Sequence, residues 1–560
     1  MAASSSSSNG VGGIHSSSGS SSSIGSSRSG SNGRGDGSTS SSGDGSGCCN
    51  AEGGMQEVFA SLWGKEIFCP LGMEEETSLP PVIAKFNFVE VLRSVQDQGV
   101  GIIFISVRWK WQQPDPEGFD FTVMNYVQEQ VCGQGLKLAV VLDTDATPTW
   151  VARRFPDGVL RDVLNLTRGA ATFNHAGALE LAHAWHDAVL RQLAANNASC
   201  IHSIQPSFNN EYESKYSQER DAPQDYSPAA ALAFREYVKG VRAGLGHWNQ
   251  RWATSFDDWE AVEPPKFYQH GEHYNSTMTD LFYWDWQHFR HKRLHSVHEA
   301  CCQRIAAHGF RCIMHFPEVF NSGHAIYGAS AVFTLAASPW LDYIIIDSNF
   351  VTMSVRPNDV RIVQILLSAM KPFAKPVFFE GAFEQIADPK LHRQAVQLTA
   401  ASGAHGMGFT NWLDRVNHTT FFRDTLRDMP ATPACGPPVA ILTPYRSYVA
   451  FKGAPFANAE TRELAANDPQ QDLLFACLDV LEKELPSLAG LQIFGVPTML
   501  LPVLQNFEQV WYVEPDVLLS GDASTIARIQ ERAGALGVPL RSCIEKKAPP
   551  IVLPECCPSL

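Results

Sequence analysis

At 560 residues the chain is longer than one hydrophobic core usually organises, so two folded domains are expected. Its 43 basic side chains stand against 58 acidic ones, a formal charge of -15, which argues against the clustered basic surface of a nucleic-acid binder. No uncharged apolar run reaches about 18 residues, so a membrane-spanning helix is not expected either.

Residues 1–47 hold 21 Ser and 12 Gly with almost no large apolar groups. Such a segment cannot bury enough surface to offset its chain entropy, so a disordered tail over 1–52 is expected. Its start, MAASSSSSNGVGG, lacks the basic and apolar regions of a secretory signal, and a cytoplasmic location is the corresponding expectation. The 13 cysteines show no CxxC or Cys/His zinc spacing, which predicts reduced thiols, no metal site and no cofactor. Asn-X-Ser/Thr sequons at Asn165, Asn197, Asn275 and Asn417 point weakly the other way.

From about residue 53, strand and helix patterns alternate. A first strand is expected within 57–72 and a helix over 85–99. Strands follow at 102–109 and 136–143, with a helix at 121–135 between them. The apolar spacing of 176–196 predicts an amphipathic helix, and CIHSIQPSF (200–208) a fourth strand. SPAAALAFREYVKGVRAGLG (227–246) has a Ser cap, a Pro in its first turn and a Gly stop, all helical signals. After an irregular stretch (252–276) come a long helix over 280–308 and strands at 311–318, 342–348, 375–381 and 406–412. Helices at 358–371 and 389–402 separate the last two pairs.

Repeated strand–helix alternation requires parallel pairing, because each helix returns the chain to the same edge. An α/β fold with a (β/α)8 TIM barrel over 53–430 is therefore predicted, rather than an open sheet with a glycine-rich phosphate turn. PATPACGPP (430–438) reads as a linker. Beyond it, VAILTP, a helix over 472–485, VPTMLLP, VWYVEP and a helix over 524–536 predict a smaller α/β domain spanning 438–560.

In such a barrel, chemistry gathers at the C-terminal ends of the strands. The predicted ends are Arg108-Trp109, Asp143-Thr144-Asp145, Asn210-Glu211, His315 to Glu318, Asp347-Ser348-Asn349, Glu380 and Asn411-Trp412. Two carboxylates with aromatic platforms are what glycoside hydrolysis needs. Glu211 and Glu380 end strands four and seven. Glu318 is a rival carboxylate, or a hydrogen-bonding group for substrate or an Arg partner, and Asp347 is a further candidate for substrate contact. Glu384 is a rival to Glu380 but falls beyond the strand. His270 and His273 lack neighbouring third and fourth metal ligands.

An Asn-Glu pair closing strand four and a lone Glu closing strand seven resemble the pattern of the clan A glycoside hydrolases. VRWKWQQPDPEGFDF (107–121), GLKLAVVL (135–142) and PTWVARRFPDG (148–158) are similar to family 42 of that clan, the β-galactosidase group. The resemblance covers about residues 90–430. It implies Glu211 as general acid/base and Glu380 as nucleophile of a retaining reaction. It also implies Asn210 on the sugar 2-hydroxyl, Arg108 beside the nucleophile, Trp412 as the floor of the sugar subsite, and Trp150 and Trp109 as its walls. The second domain would be flavodoxin-like and support a homo-oligomer, and the partner would be a carbohydrate. Three departures stand out: Gln113-Pro114 replaces the usual Glu-Pro, Glu213 replaces a Gly, and a zinc-binding cysteine cluster is missing. The same residues leave open a catalytically silent saccharide-binding barrel, or a β-glucosidase, β-mannosidase or endo-glycanase.

Overall fold

The computed structural model describes residues 57–62, 87–216, 224–241, 243–265, 281–320, 328, 331–351, 355–381, 383, 386–409, 436–451, 456–458, 463–464, 469–544, 546 and 548–555. The expected tail, residues 430–435 of the linker, residues 266–276 of the irregular stretch, and His270, His273, Glu384 and Trp412 lie outside these residues.

Eight parallel strands form the main sheet: β1 (Glu57–Ser61), β2 (Ile102–Arg108), β3 (Lys137–Asp143), β4 (Ile201–Ser207), β5 (Ile313–Phe316), β6 (Tyr343–Asp347), β7 (Val377–Glu380) and β8 (Gly406–Phe409). Each pairs with its neighbour in sequence except β4 with β5, and β1 pairs with β8. A parallel bridge between Ile204 and Cys312, with the Ile204 amide donating to the Arg311 carbonyl at 2.9 Å, links β4 to β5 and nearly closes the ring. The helices α1 (Phe88–Asp97), α2 (Thr122–Gly133), α3 (Ala176–Asn197), α4 (Pro228–Gly240), α5 (Leu245–Trp252), α6 (Leu281–Ala307), α7 (Arg361–Met370) and α8 (Pro389–Ala401) fall between the strands. This is the (β/α)8 barrel that the alternation predicts. One predicted helix, 227–246, is two: α4 starts on the Ser227 cap, whose side chain accepts from the Ala230 amide, and α5 restarts after Gly244.

Successive residues of a strand face opposite sides, and the two hydrophobic clusters follow that period. Phe59, Ile102, Phe104, Ala139, Val141, Ile313, Tyr343, Ile345 and Phe378 fill the interior. Their neighbours Val58, Ile103, Ile105, Val140, Met314, Ile344 and Phe379 join the layer beneath the helices. The rings inside need space that β8 supplies with glycine. A Cβ at Gly408 would overlap the Phe59 ring, and one at Gly406 would meet the Glu57 carbonyl and the Phe378 ring.

A second, four-stranded parallel sheet contains β9 (Val439–Leu442), β10 (Leu491–Phe494), β11 (Gln509–Tyr512) and β12 (Leu540–Ser542), in the order β10-β9-β11-β12. Helix α9 (Pro469–Glu484) lies between β9 and β10 in sequence, and α10 (Ser520–Leu536) between β11 and β12. That order matches the first four strands of the flavodoxin-like arrangement. VPTMLLP is helical rather than extended, because Pro497 opens a helical turn, and the strand is the preceding LQIF. This sheet packs closely on the barrel. Tyr445 sits against Phe320 and Phe333, Arg361 Nη1 lies 2.6 Å from Asp479, and Lys371 donates to the Ala489 and Leu491 carbonyls.

Disulfides join Cys132 to Cys200, Cys302 to Cys312 and Cys477 to Cys543, which corrects the expectation of reduced thiols for these six residues; Cys301 is free and buried. Spacing along the chain gave no sign of them, since each pair is brought together by strand and helix packing. Among the described residues no helix is long and apolar enough to cross a membrane.

Glu57 on β1 reaches His202 on β4 at 3.4 Å and His405 before β8 at 3.1 Å, tying three strands together at their N-terminal ends. The imidazoles of His202 and His405 beside it hold its carboxyl well below the ordinary 4.5. A carboxyl lowered in this way contributes stability above its ordinary pKa and loses it as pH falls toward the folded value. The Glu57→Gln protein is therefore expected to lose less melting temperature than the parent between about pH 5 and about pH 2.5, in paired thermal melts. Gly408→Ala is expected to cost about 3 kcal/mol or more in urea unfolding, because the Phe59 ring cannot vacate a packed interior.

Candidate active site

The parity that packs rings inside the barrel continues to the strand ends. Two residues above Ser106, Val141, Ile313, Ile345 and Phe378 on the same face stand Arg108, Asp143, His315, Asp347 and Glu380. A polar ring therefore crowns an apolar interior at the end where this fold carries its chemistry.

Glu380, 1% exposed, lies with its Oε2 3.6 Å from His315 Nε2, itself on a residue 4% exposed. Glu380 Oε1 has no hydrogen-bond partner among the described residues. Arg108 contacts Asp143 (Nε to Oδ2, 3.5 Å), donates from Nη2 to the Tyr212 hydroxyl at 3.3 Å, and stacks over Trp111. A histidine, His315, thus stands beside Glu380.

Residues 208–216, after β4, fold around Asn209. Its Oδ1 accepts from the amides of Glu211 (2.8 Å) and Glu213 (3.3 Å), and its Nδ2 donates to the Lys215 carbonyl at 2.9 Å. The Ser214 amide donates to the His315 carbonyl at 2.6 Å and fixes the segment to β5. Tyr212 adopts φ 63°, a left-handed conformation unusual for a non-glycine residue. The Asn209 bonds and burial of the Tyr212 ring in the barrel interior hold it there. Burial raises the pKa of that phenol.

This turn gathers Glu211, Glu213 and Lys215. Lys215 Nζ lies 2.7 Å from Glu211 Oε2 and also contacts Glu213; the side chains are 28%, 6% and 2% exposed for Glu211, Glu213 and Lys215. Burial alone would strip the ammonium of its proton, but the two carboxylates outweigh it and the pKa rises. Donor atoms of Glu213, His315 and Asp347 all lie within 4.8 Å of one another. The Lys215 ammonium against Glu213 already supplies this group with a cation.

The other expected residues divide. Asn210 is half-buried beside Glu211, whereas Asn209 makes the bonds that shape the turn. Trp109 is fully buried in the layer between barrel and helices, stacked on Trp185, with its indole donating to Gln113. Trp150 is half-buried and donates to the Gln113 carbonyl. Glu318, 1% exposed, accepts from Ser348 Oγ at 2.7 Å and from Gln471 Nε2, while Gln471 Oε1 accepts from the Val355 amide. Gln471 belongs to α9, so the second sheet's own helix reaches a carboxylate at the barrel mouth. Sequence reasoning missed Lys215, the role of Glu213 and Gln471. The alternate spacing of Glu211, Glu213 and Lys215 was the available signal; nothing local marked Gln471.

Residues 87–322 match the model of the family Glyco_hydro_42, described as beta-galactosidase. Two curated relatives are similar. The β-galactosidase LacZ of Heyndrickxia coagulans is 23% identical over 181 residues, 31% of this chain and 26% of that protein. The β-galactosidase bgaB of Geobacillus kaustophilus is 22% identical over 184 residues, 32% of this chain and 26% of that one. The chain therefore matches about a quarter of the length of these relatives. Among solved structures, a β-galactosidase of Halorubrum lacusprofundi superposes with a TM-score of 0.62 at 14% identity, covering 84% of this chain and 71% of that one. The catalytic domain of a β-amylase from Paenibacillus polymyxa gives 0.52 at 17% identity, covering 67% and 99%. The chain is thus like family 42 of the clan A glycoside hydrolases.

The Gln471 contact generates a stability test. Gln471→Leu withdraws a donor from the buried Glu318 carboxylate and is expected to cost about 1–3 kcal/mol in urea unfolding.

Proposed function

We propose that the chain is a retaining glycoside hydrolase acting on terminal β-galactosides without a cofactor. The observation that carries this reading is Glu380, a buried carboxylate at the end of β7 in a barrel whose first half matches family 42. In the proposed reaction Glu211 donates a proton to the glycosidic oxygen while a Glu380 oxygen attacks the anomeric carbon. The bond to the leaving group breaks as the glycosyl–enzyme ester forms. Water, deprotonated by Glu211, then displaces Glu380. His315 would orient the Glu380 carboxylate. Asn210, Arg108, Asp347 and Glu318 are proposed as substrate-binding groups, with Trp150, Trp109 and Trp412 as aromatic contacts.

A second reading is a catalytically silent barrel that holds a saccharide. It is favoured by the Lys215–Glu211 contact, since an ammonium at 2.7 Å opposes the protonated form that an acid catalyst needs.

The domain limits 1–52, 53–430 and 438–560, and a homo-oligomer formed through the C-terminal sheet, are part of the same proposal. Three disulfides weigh against the cytoplasmic location suggested by the N-terminal sequence, because such bridges persist in oxidising compartments.

Turnover of aryl β-galactosides, with β-glucosides, β-mannosides and soluble starch as comparisons, tests the reading. Glu380→Gln is expected to lower kcat by about a thousandfold or more. Glu211→Gln should spare dinitrophenyl galactosides, whose leaving group needs no proton, far more than methyl galactosides. Turnover unchanged in the Glu380→Gln protein would sink the nucleophile assignment, and binding of galactose without any turnover would favour the silent barrel.

A further inference from the structure

One buried lysine between two carboxylates is a charge arrangement that the proposed reaction does not use. Lys215 is 2% exposed, and its ammonium touches both Glu211 and Glu213. An acid catalyst must hold a proton when substrate arrives, and a neighbouring ammonium favours the ionised carboxylate instead.

We propose that Glu213 is a positioning residue for the proton of Glu211: it shares the Lys215 ammonium and so lets the more exposed Glu211 carboxyl carry a proton. The inference rests on the assignment of Glu211 as acid/base. Two carboxylates and one ammonium carry one surplus negative charge. That surplus favours uptake of a single proton by the pair. Glu213, 6% exposed, is the buried member, while Glu211, 28% exposed, is the one open to its surroundings.

The surroundings keep the surplus in place. On the Glu213 side stand His315 on β5 and Asp347 on β6, with donor atoms within 4.8 Å, and Glu380 on β7 lies beyond His315. Asp347 and Glu380 add negative charge there. Of the other charged groups at the mouth, Arg108 on β2 pairs with Asp143 on β3 and donates to Tyr212, and Glu318 accepts from Ser348 and Gln471. Removing Glu213 takes away one of the carboxylates that share Lys215, strengthens its hold on Glu211 and lowers the Glu211 pKa. Removing the lysine leaves two facing carboxylates and raises it.

The decisive experiment follows the Glu211 carboxyl carbon by NMR across a pH titration of full-length protein labelled with 13C-glutamate, the signal being identified by its loss in Glu211→Gln. Glu213→Gln is expected to move the titration down by about one unit or more, and Lys215→Met to move it up by a similar amount. In parallel, the alkaline limb of kcat/KM for methyl β-galactoside should shift with the same signs. A one-unit downward shift costs about tenfold in rate above that limb. The rate on dinitrophenyl galactoside should not follow, an outcome that mere structural damage would not give. Titration of Glu211 within about 0.3 unit of the parent in both variants overturns the proposal. Absence of galactoside turnover in the parent, with the titration shifting as stated, overturns the glycosidase reading and leaves the shared-lysine arrangement standing.

Discussion

Side chains leave a β-strand on alternate faces, and in a closed parallel barrel every strand runs the same way. This single constraint organises the molecule. It places Phe59, Phe104, Tyr343 and Phe378 in the interior and their immediate neighbours under the helices. Carried one step further, it sets Arg108, Asp143, His315, Asp347 and Glu380 around one mouth. The apolar interior and the polar crown are the same face of the same strands read at different heights. The glycines of β8 belong to this economy, since the rings opposite them occupy the volume that a Cβ would need.

Charge at the mouth is arranged by pairs and triples rather than by isolated groups. Arg108 is matched to Asp143, Glu380 lies against His315, and Lys215 serves two glutamates. Burying ions is costly unless each finds a partner, so the network dictates which carboxylates can change protonation state during a reaction. The segment after β4 matters most. Its backbone is held by Asn209 and by the Ser214 bond to β5, which presents Glu211 and Glu213 on either side of one ammonium.

The second sheet is joined to this arrangement rather than appended to it. Tyr445 packs on Phe320 and Phe333, just beyond β5, and Gln471 bonds both Glu318 and the Val355 amide. Its influence on the mouth therefore reaches Glu318, a buried carboxylate that Ser348 also holds.

The sequence by itself determined the strand–helix alternation and hence the barrel. Apolar periodicity, the Ser227 cap and the strand-final carboxylates are local signals, set by backbone geometry within a few residues. It also placed Glu380 at the end of β7 and Glu211 just after β4, and it singled out Glu213 as an anomaly. Only the tertiary structure decided that VPTMLLP turns helical behind LQIF, that three cysteine pairs meet, and that Trp109 stacks on Trp185 in the outer layer. It alone brought His315 to Glu380, Lys215 to two glutamates and Gln471 to Glu318. Those contacts join residues on different strands or domains, or depend on the path of a turn, and sequence periodicity carries the direction of a side chain but not what it will find there.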